Sequence, residues 1–214
     1  MCSFRSVLLV LTGVDVAADK VGAMTAHLMP EDFGAPKGHR TFQPLLVSDR
    51  VRHVGDRVAF VVAETLAQAR DAADLVEVDY EPLPAVVNIE DAAKPDAPKV
   101  WDDNPQGNNA FRLMFGDQAA TDAAFAKAKH VVKLRVENNR LSPVSMEPRV
   151  AIGEYDKAND FYTLYTASQN PHGVRMELSH IFHVPENQIR VVAPDVGGGF
   201  GMKEMEGAAD VLMV

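Results

Sequence analysis

Apolar and polar positions along this chain change period several times, and each change marks an element. The run "VLLVL" (7–11), followed by Thr12-Gly13, reads as a buried strand ending in a turn. "RVAFVVA" (57–63) is a second continuous apolar run of strand length. Thr65 with Gln68 three positions on forms a capping box, which predicts a helix through roughly Asp74. Its apolar face would carry Leu66, Ala69, Ala73 and Val76. "VEVDYE" (76–81) then alternates strictly, with Val76, Val78 and Tyr80 inward, until Pro82 and Pro84 stop it. Strand, helix and strand with tight joints make an α/β unit.

From Pro82 to Asn109 the periodicity is lost among prolines and polar residues. The stretch reads as a linker pinned by Val100 and Trp101. Beyond it a short helix is expected near Thr121–Lys129, followed by a second alternating strand, "VVKLRVE" (131–137). "RVAIGEYD" and "FYTLYTA" flank the turn "KAND" and predict a hairpin. Asn170 before Pro171 is an N-cap and first-turn pair for the helix "PHGVRMELSHIF", with Val174, Leu178 and Ile181 toward the core. The strand "QIRVVAP" leads directly into "DVGGGFGMKE" (195–204).

Composition narrows the field. The chain has 214 residues, 47% hydrophobic and 24% charged, long enough for one large domain or two small ones. A net charge of −9 and the lack of a basic cluster argue against a nucleic-acid partner. The one cysteine, Cys2, excludes an internal disulfide, and also a thiolate zinc site or iron–sulfur cluster held by this chain alone. No segment has the roughly eighteen apolar residues of a membrane span, and the first residues lack a small-residue cleavage site. A cytoplasmic protein is expected.

The glycine run fails two phosphate-binding patterns. Counting from Gly197, Met202 stands where a dinucleotide fingerprint needs its third glycine. Lys203 lacks the flanking Gly and Ser/Thr of a P-loop. Two readings remain. Either main-chain amides at the start of a helix near Lys203 meet an anionic or oxo-bearing ligand, or this is a tight turn against which other backbone packs.

"VVAPDVGGGFGMKE" resembles the signature of the molybdenum hydroxylases, the family of xanthine dehydrogenase, aldehyde oxidase and aerobic carbon monoxide dehydrogenase. "SMEPRVAIGEYD", "YTASQNPHGVR" and "GDRVAFVVAETLAQARDAADLVEVDYEPLPAVV" resemble further family segments in the same order. The resemblance implies an α/β (α+β) fold class: a partial hammerhead α/β domain over 1–83, a linker over 84–109 and the first part of a molybdopterin-binding domain over 110–214. It implies a molybdenum–molybdopterin cofactor, in the cytosine dinucleotide form. The main chain at Phe200 and Gly201 would approach an oxo ligand of the metal, with Gly198 and Gly199 giving clearance. Phe200 as a core plug is the alternative. Glu204 matches a position that orients substrate in purine-oxidising members, though a first-turn glutamate also suits a helix dipole. No metal ligand is expected from the chain.

Other residues carry weaker expectations. Lys203 reads as a solvated or phosphate-facing cation. Glu147 and Arg149 read as structural, forming a buried ion pair. Gln169 and His172 would lie near the cofactor, with helix capping the alternative for His172. His180 and His183, without a third partner, read as a solvated helix end. The sequence departs from the family in "NNRLSPVS", where a glutamine is expected; Asn139 or Arg140 would substitute, or the contact is missing. "CSFR" at Cys2 resembles a copper-binding loop out of order, and reads as coincidence.

The chain reads as a fragment, inactive alone and prone to self-association. Its expected partners are the remainder of the large subunit, an iron–sulfur small subunit and an FAD-binding medium subunit. The reaction implied is hydroxylation of an aldehyde or N-heterocycle, or oxidation of carbon monoxide, with oxygen from water. A non-catalytic α/β relic or interaction fragment without cofactor is the alternative.

Overall fold

The computed structural model describes residues 6–26 and 28–204. Cys2 and the "CSFR" segment lie outside them. The chain divides into two compact units, one built from segments up to Ala26, Thr41–Ala85 and from Pro143 onward, the other from residues 27–40 and Val86–Ser142.

Among the described residues the first unit holds three small sheets. β1 (Val7–Thr12) pairs antiparallel with β4 (Ala59–Ala63), and β2 (Met24–Thr25) with β3 (Phe42–Gln43). The third sheet has the order β5–β6–β7, from Ala151–Asp156, Phe161–Thr166 and Ile189–Val192. β5 and β6 form the expected hairpin, and β7 lies parallel to β6. Asp160 closes the hairpin turn in the left-handed region at φ 50°, and the Asp156 carboxylate accepts from the amides of Ala158 and Asn159.

Two helices match their local signals. α2 (Leu66–Ala73) starts at Thr65, whose hydroxyl accepts from the Gln68 amide. α5 (Pro171–Phe182) starts at Asn170, which accepts from the Gly173 amide, and ends at left-handed His183. Val174, Leu178 and Ile181 are buried as expected. They share one core with Leu164, Ile189, Val16, Leu45 and Leu46. Residues from before Pro82 and after Pro143 thus pack together, and the Gly22 amide donates to the Ile181 carbonyl at 2.8 Å.

Three expected elements differ. β1 is largely exposed, because its two-stranded sheet leaves most of its side chains uncovered, and the chain after it forms α1 (Gly13–Ala18) in place of a simple turn. The Asp15 carboxylate starts that helix by accepting from the Thr12 amide and hydroxyl. Residues 76–81 form no strand: Val76, Val78 and Tyr80 instead line an open groove of about 590 Å³ with Phe60 and Ala69. Residues 131–137 also form no strand, and Val132, Leu134 and Val136 are exposed. Alternation specifies the face a strand would bury, but only a hydrogen-bonding neighbour makes it one.

In the second unit a 3₁₀ turn (Pro30–Phe33), α3 (Ile89–Ala92) and α4 (Gln118–Lys127) are joined by polar loops. The aperiodic stretch is held by side chains. Asn108 accepts from the Val100 amide and donates to the carbonyls of Ala92 and Pro98, and buried Asn104 donates to the Asn109 carbonyl. Among the described residues no helix is long and apolar enough to cross a membrane.

Candidate functional site

The third sheet gathers the residues singled out from sequence. Because β5 runs antiparallel to β6 and β7 parallel to it, the start of β5 and the ends of β6 and β7 lie at the same edge of the sheet. Three connecting segments therefore converge there: 145–150 before β5, 167–170 after β6, and the glycine run after β7.

The glycine run is a clamped turn. Glu147 Oε2 accepts from the Gly197 amide and from Lys203 Nζ, each at 2.7 Å. The Glu147 amide donates to the Gly197 carbonyl, and Ser145 Oγ donates to the Glu147 carbonyl at 2.6 Å. Gln169 Oε1 accepts from the amides of Gly201 (3.0 Å) and Lys203 (3.3 Å), and the Gln169 amide donates to the Lys203 carbonyl at 2.8 Å. Arg149 donates to the Met202 carbonyl.

Two kinds of glycine serve this turn. A Cβ on Gly199 would stand 2.2 Å from Gln169 Oε1, and one on Gly197 would stand 2.5 Å from the Glu147 Cβ. Gly198 and Gly201 instead adopt φ of 97° and 84°, where side chains are strained. The tight-turn reading holds: the backbone is packed from one side by Glu147 and Gln169. What remains is equally specific. Among the described residues the amides of Gly198, Gly199 and Phe200 have no protein acceptor.

Several expectations are corrected. Lys203 is not solvated: its side chain has no exposure and forms an ion pair with Glu147. Glu147 finds its ion-pair partner in Lys203, where Arg149 had been the expected one, because the turn brings position 203 onto the "MEPR" segment. Phe200 is not a core plug; it is exposed and, unusually for a bulky residue, left-handed at φ 53°. Residues 200–203 form a turn, and the helix expected after it lies outside the described residues. The Gly201 amide, expected free, is occupied by Gln169.

Glu204, at the end of the described residues, is exposed. His172, His180 and His183 are exposed on α5 and at its end, and no group of three metal-ligating side chains occurs among the described residues. Asn139 and Arg140 are exposed in the second unit. Nothing in the sequence indicated the roles of Gln169 and Lys203 as clamps. The visible signal was the glycine at 199, which makes room for a side chain 30 positions away.

The ammonium of Lys203 and the Gly197 amide hold the Glu147 carboxyl below its ordinary value of 4.5. A lowered folded-state value stabilises the turn above the ordinary value, and the contribution is lost as pH falls through the lowered one. The Gly197 amide resonance is therefore expected to be constant from pH 7 to 5 and to titrate with a midpoint below 4.5. In Glu147→Gln the transition should vanish; a midpoint at or above 4.5 in the unsubstituted protein would contradict the pairing.

An unpaired run of amide donors beside left-handed backbone suits an anionic, oxygen-bearing group. Residues 101–214 match the molybdopterin cofactor-binding domain. The chain belongs to that family. Residues 3–84 match the aldehyde oxidase and xanthine dehydrogenase a/b hammerhead domain, so the expected fold class, a hammerhead followed by part of a molybdopterin-binding domain, is borne out.

Relatives of this member of the molybdopterin cofactor-binding family include the carbon monoxide dehydrogenase large chain of Afipia carboxidovorans, 38% identical over 92% of this chain and 24% of that protein. The nicotine 6-hydroxylase large subunit of Paenarthrobacter nicotinovorans is 36% identical over 79% of this chain and 20% of that protein. Quinoline 2-oxidoreductase from Pseudomonas putida 86 superposes with a TM-score of 0.85 at 36% identity, covering 98% of this chain and 26% of that structure. The chain spans about a quarter of the length of these relatives or less.

Proposed function

We propose that this chain supplies the wall of a molybdenum-hydroxylase active site against which the molybdenum–molybdopterin group rests. The observation that carries the reading is the set of amides at Gly198, Gly199 and Phe200, left without acceptors among the described residues in a turn whose other donors are taken. Backbone donors held in place in advance stabilise negative charge on a ligand without having to reorganise. When bound, the group supplies the redox chemistry, taking up the electron pair that leaves the substrate.

The residues of this chain bind and orient. Gly199 makes room for Gln169, Gly198 adopts the positive φ that the turn needs, and the amides from 198 to 200 donate to the ligand. The Gly201 main chain completes the contact surface. The exposed Phe200 ring shields one side from water, and Glu204 orients substrate. The whole enzyme would hydroxylate an aldehyde or N-heterocycle, or oxidise carbon monoxide, with oxygen from water.

The names of the relatives, which include a large chain, a large subunit and a complex subunit gamma, support a multi-subunit assembly. We extend the reading to an iron–sulfur small subunit, an FAD-binding medium subunit, the cytosine dinucleotide form of the cofactor and a cytoplasmic location. The domain limits belong to the same proposal: hammerhead 1–83, linker 84–109 and molybdopterin-binding part 110–214.

Metal analysis tests this. The chain, produced with its genomic neighbours in a host that makes the cofactor, is expected to purify with molybdenum and to release a fluorescent pterin on oxidation. Folded protein that carries neither would sink the proposal.

A further inference from the structure

One carboxylate oxygen ties both ends of the glycine turn together. Glu147 Oε2 meets the Gly197 amide at the start and Lys203 Nζ at the end, each at 2.7 Å. The Lys203 side chain is fully buried, whereas that of Glu147 keeps about a third of its exposure. A buried ammonium is costly without a partner, so Lys203 fixes where the Glu147 carboxylate sits and, through it, where Gly197 sits. An apolar side chain of the same length would fill the space but would hold neither group.

The remaining contacts finish the clamp. Gln169 occupies the amides of Gly201 and Lys203, and the carbonyls of Gly197, Gly199, Gly201, Met202 and Lys203 all accept hydrogen bonds. Held in this shape, the turn leaves the three amides from 198 to 200 without an acceptor among the described residues.

We infer that Lys203 is a positioning residue: through Glu147 it fixes the 197–203 backbone so that the amides of Gly198, Gly199 and Phe200 stay available to an anionic, oxygen-bearing ligand. The inference rests on the reading above, that this ligand is the molybdenum–molybdopterin group. It adds a role for a lysine whose ammonium is engaged by Glu147.

The test compares Lys203→Met with Ile181→Val, a core substitution in α5 that reports what lost stability does by itself. Both are produced with the genomic neighbours, once in a host that makes the cofactor and once in a host that does not. Two quantities are read: amide hydrogen exchange of the peptide spanning 196–204 in metal-free protein, and molybdenum per folded chain. Lys203→Met is expected to speed exchange in that peptide by about tenfold, as local opening becomes easier, and to lower molybdenum content several-fold. Ile181→Val should lower Tm and leave both quantities at the level of the unsubstituted protein.

Unchanged exchange in Lys203→Met would overturn the inference. So would unchanged molybdenum content in Lys203→Met when the unsubstituted protein is loaded, or a loss matched by Ile181→Val. Should Lys203→Met not fold, Glu147→Gln is read in the same assays, since it keeps an acceptor for Gly197 but removes the charge facing Lys203. Faster exchange together with an unsubstituted protein that carries no molybdenum would leave the clamp standing and remove the cofactor reading.

Discussion

Leu178→Ala is expected to destabilise the protein by about 2–5 kcal/mol, the usual range for emptying a fully buried leucine site. Leu178 has no exposure and lies in the middle of α5, in one core with Leu164, Ile189, Val16, Leu45 and Leu46. Those neighbours come from two adjacent strands, from an N-terminal helix and from a loop, so they cannot close on the space by shifting one element. At this chain length the loss corresponds to a fall in Tm of roughly 5–15 °C. Urea unfolding with an unchanged m value checks it. A cost under about 1 kcal/mol would mean that the two groups of core residues do not share one interior.

Gly199→Ala should act differently, at the site and not in the core. The new Cβ would stand 2.2 Å from Gln169 Oε1, so the glutamine side chain must leave. Its departure frees the amides of Gly201 and Lys203, two hydrogen bonds worth together about 1–3 kcal/mol. Gln169→Ala should cost a similar amount for the same reason. The decisive measurement is the double variant. If both single changes act through the same two bonds, Gly199→Ala adds almost nothing once Gln169 is gone, and the coupling is about 1–3 kcal/mol. Additive losses would show that Gly199 serves something other than the clamp, such as the ligand itself.

Elements whose start and stop signals lie within their own few residues are legible in the sequence. The hairpin over 151–166 and the helix over 171–182 carry their own turn and cap, and the structure has both where the residues put them. α1 was legible too: Thr12 and Asp15 are an N-terminal pair of the kind that identified Thr65 and Gln68, but the apolar run before it drew attention to the strand. The alternation at 76–81 and 131–137 misled, because period two says nothing about whether a neighbouring strand exists.

The site was half legible. Four glycines within five residues announced unusual backbone, and the two with positive φ at 198 and 201 justify that. The partners of the turn were hidden, since Glu147 and Lys203 lie 56 positions apart and charge alone reads as solvated. A lysine is rarely buried unless paired. Only the sheet order, which brings the start of β5 to the end of β7, puts its partner within reach.

The common interior of Val16, Leu45 and Leu46 with the side chains of α5 has a consequence for how the molecule comes into being. During synthesis Val16, Leu45 and Leu46 leave the ribosome more than a hundred residues ahead of the helix they pack against. Contacts of such long sequence separation form late and slowly. Until Ile181 is available, these apolar residues of the nascent N-terminal segment have no finished core to enter, which leaves the segment open to aggregation.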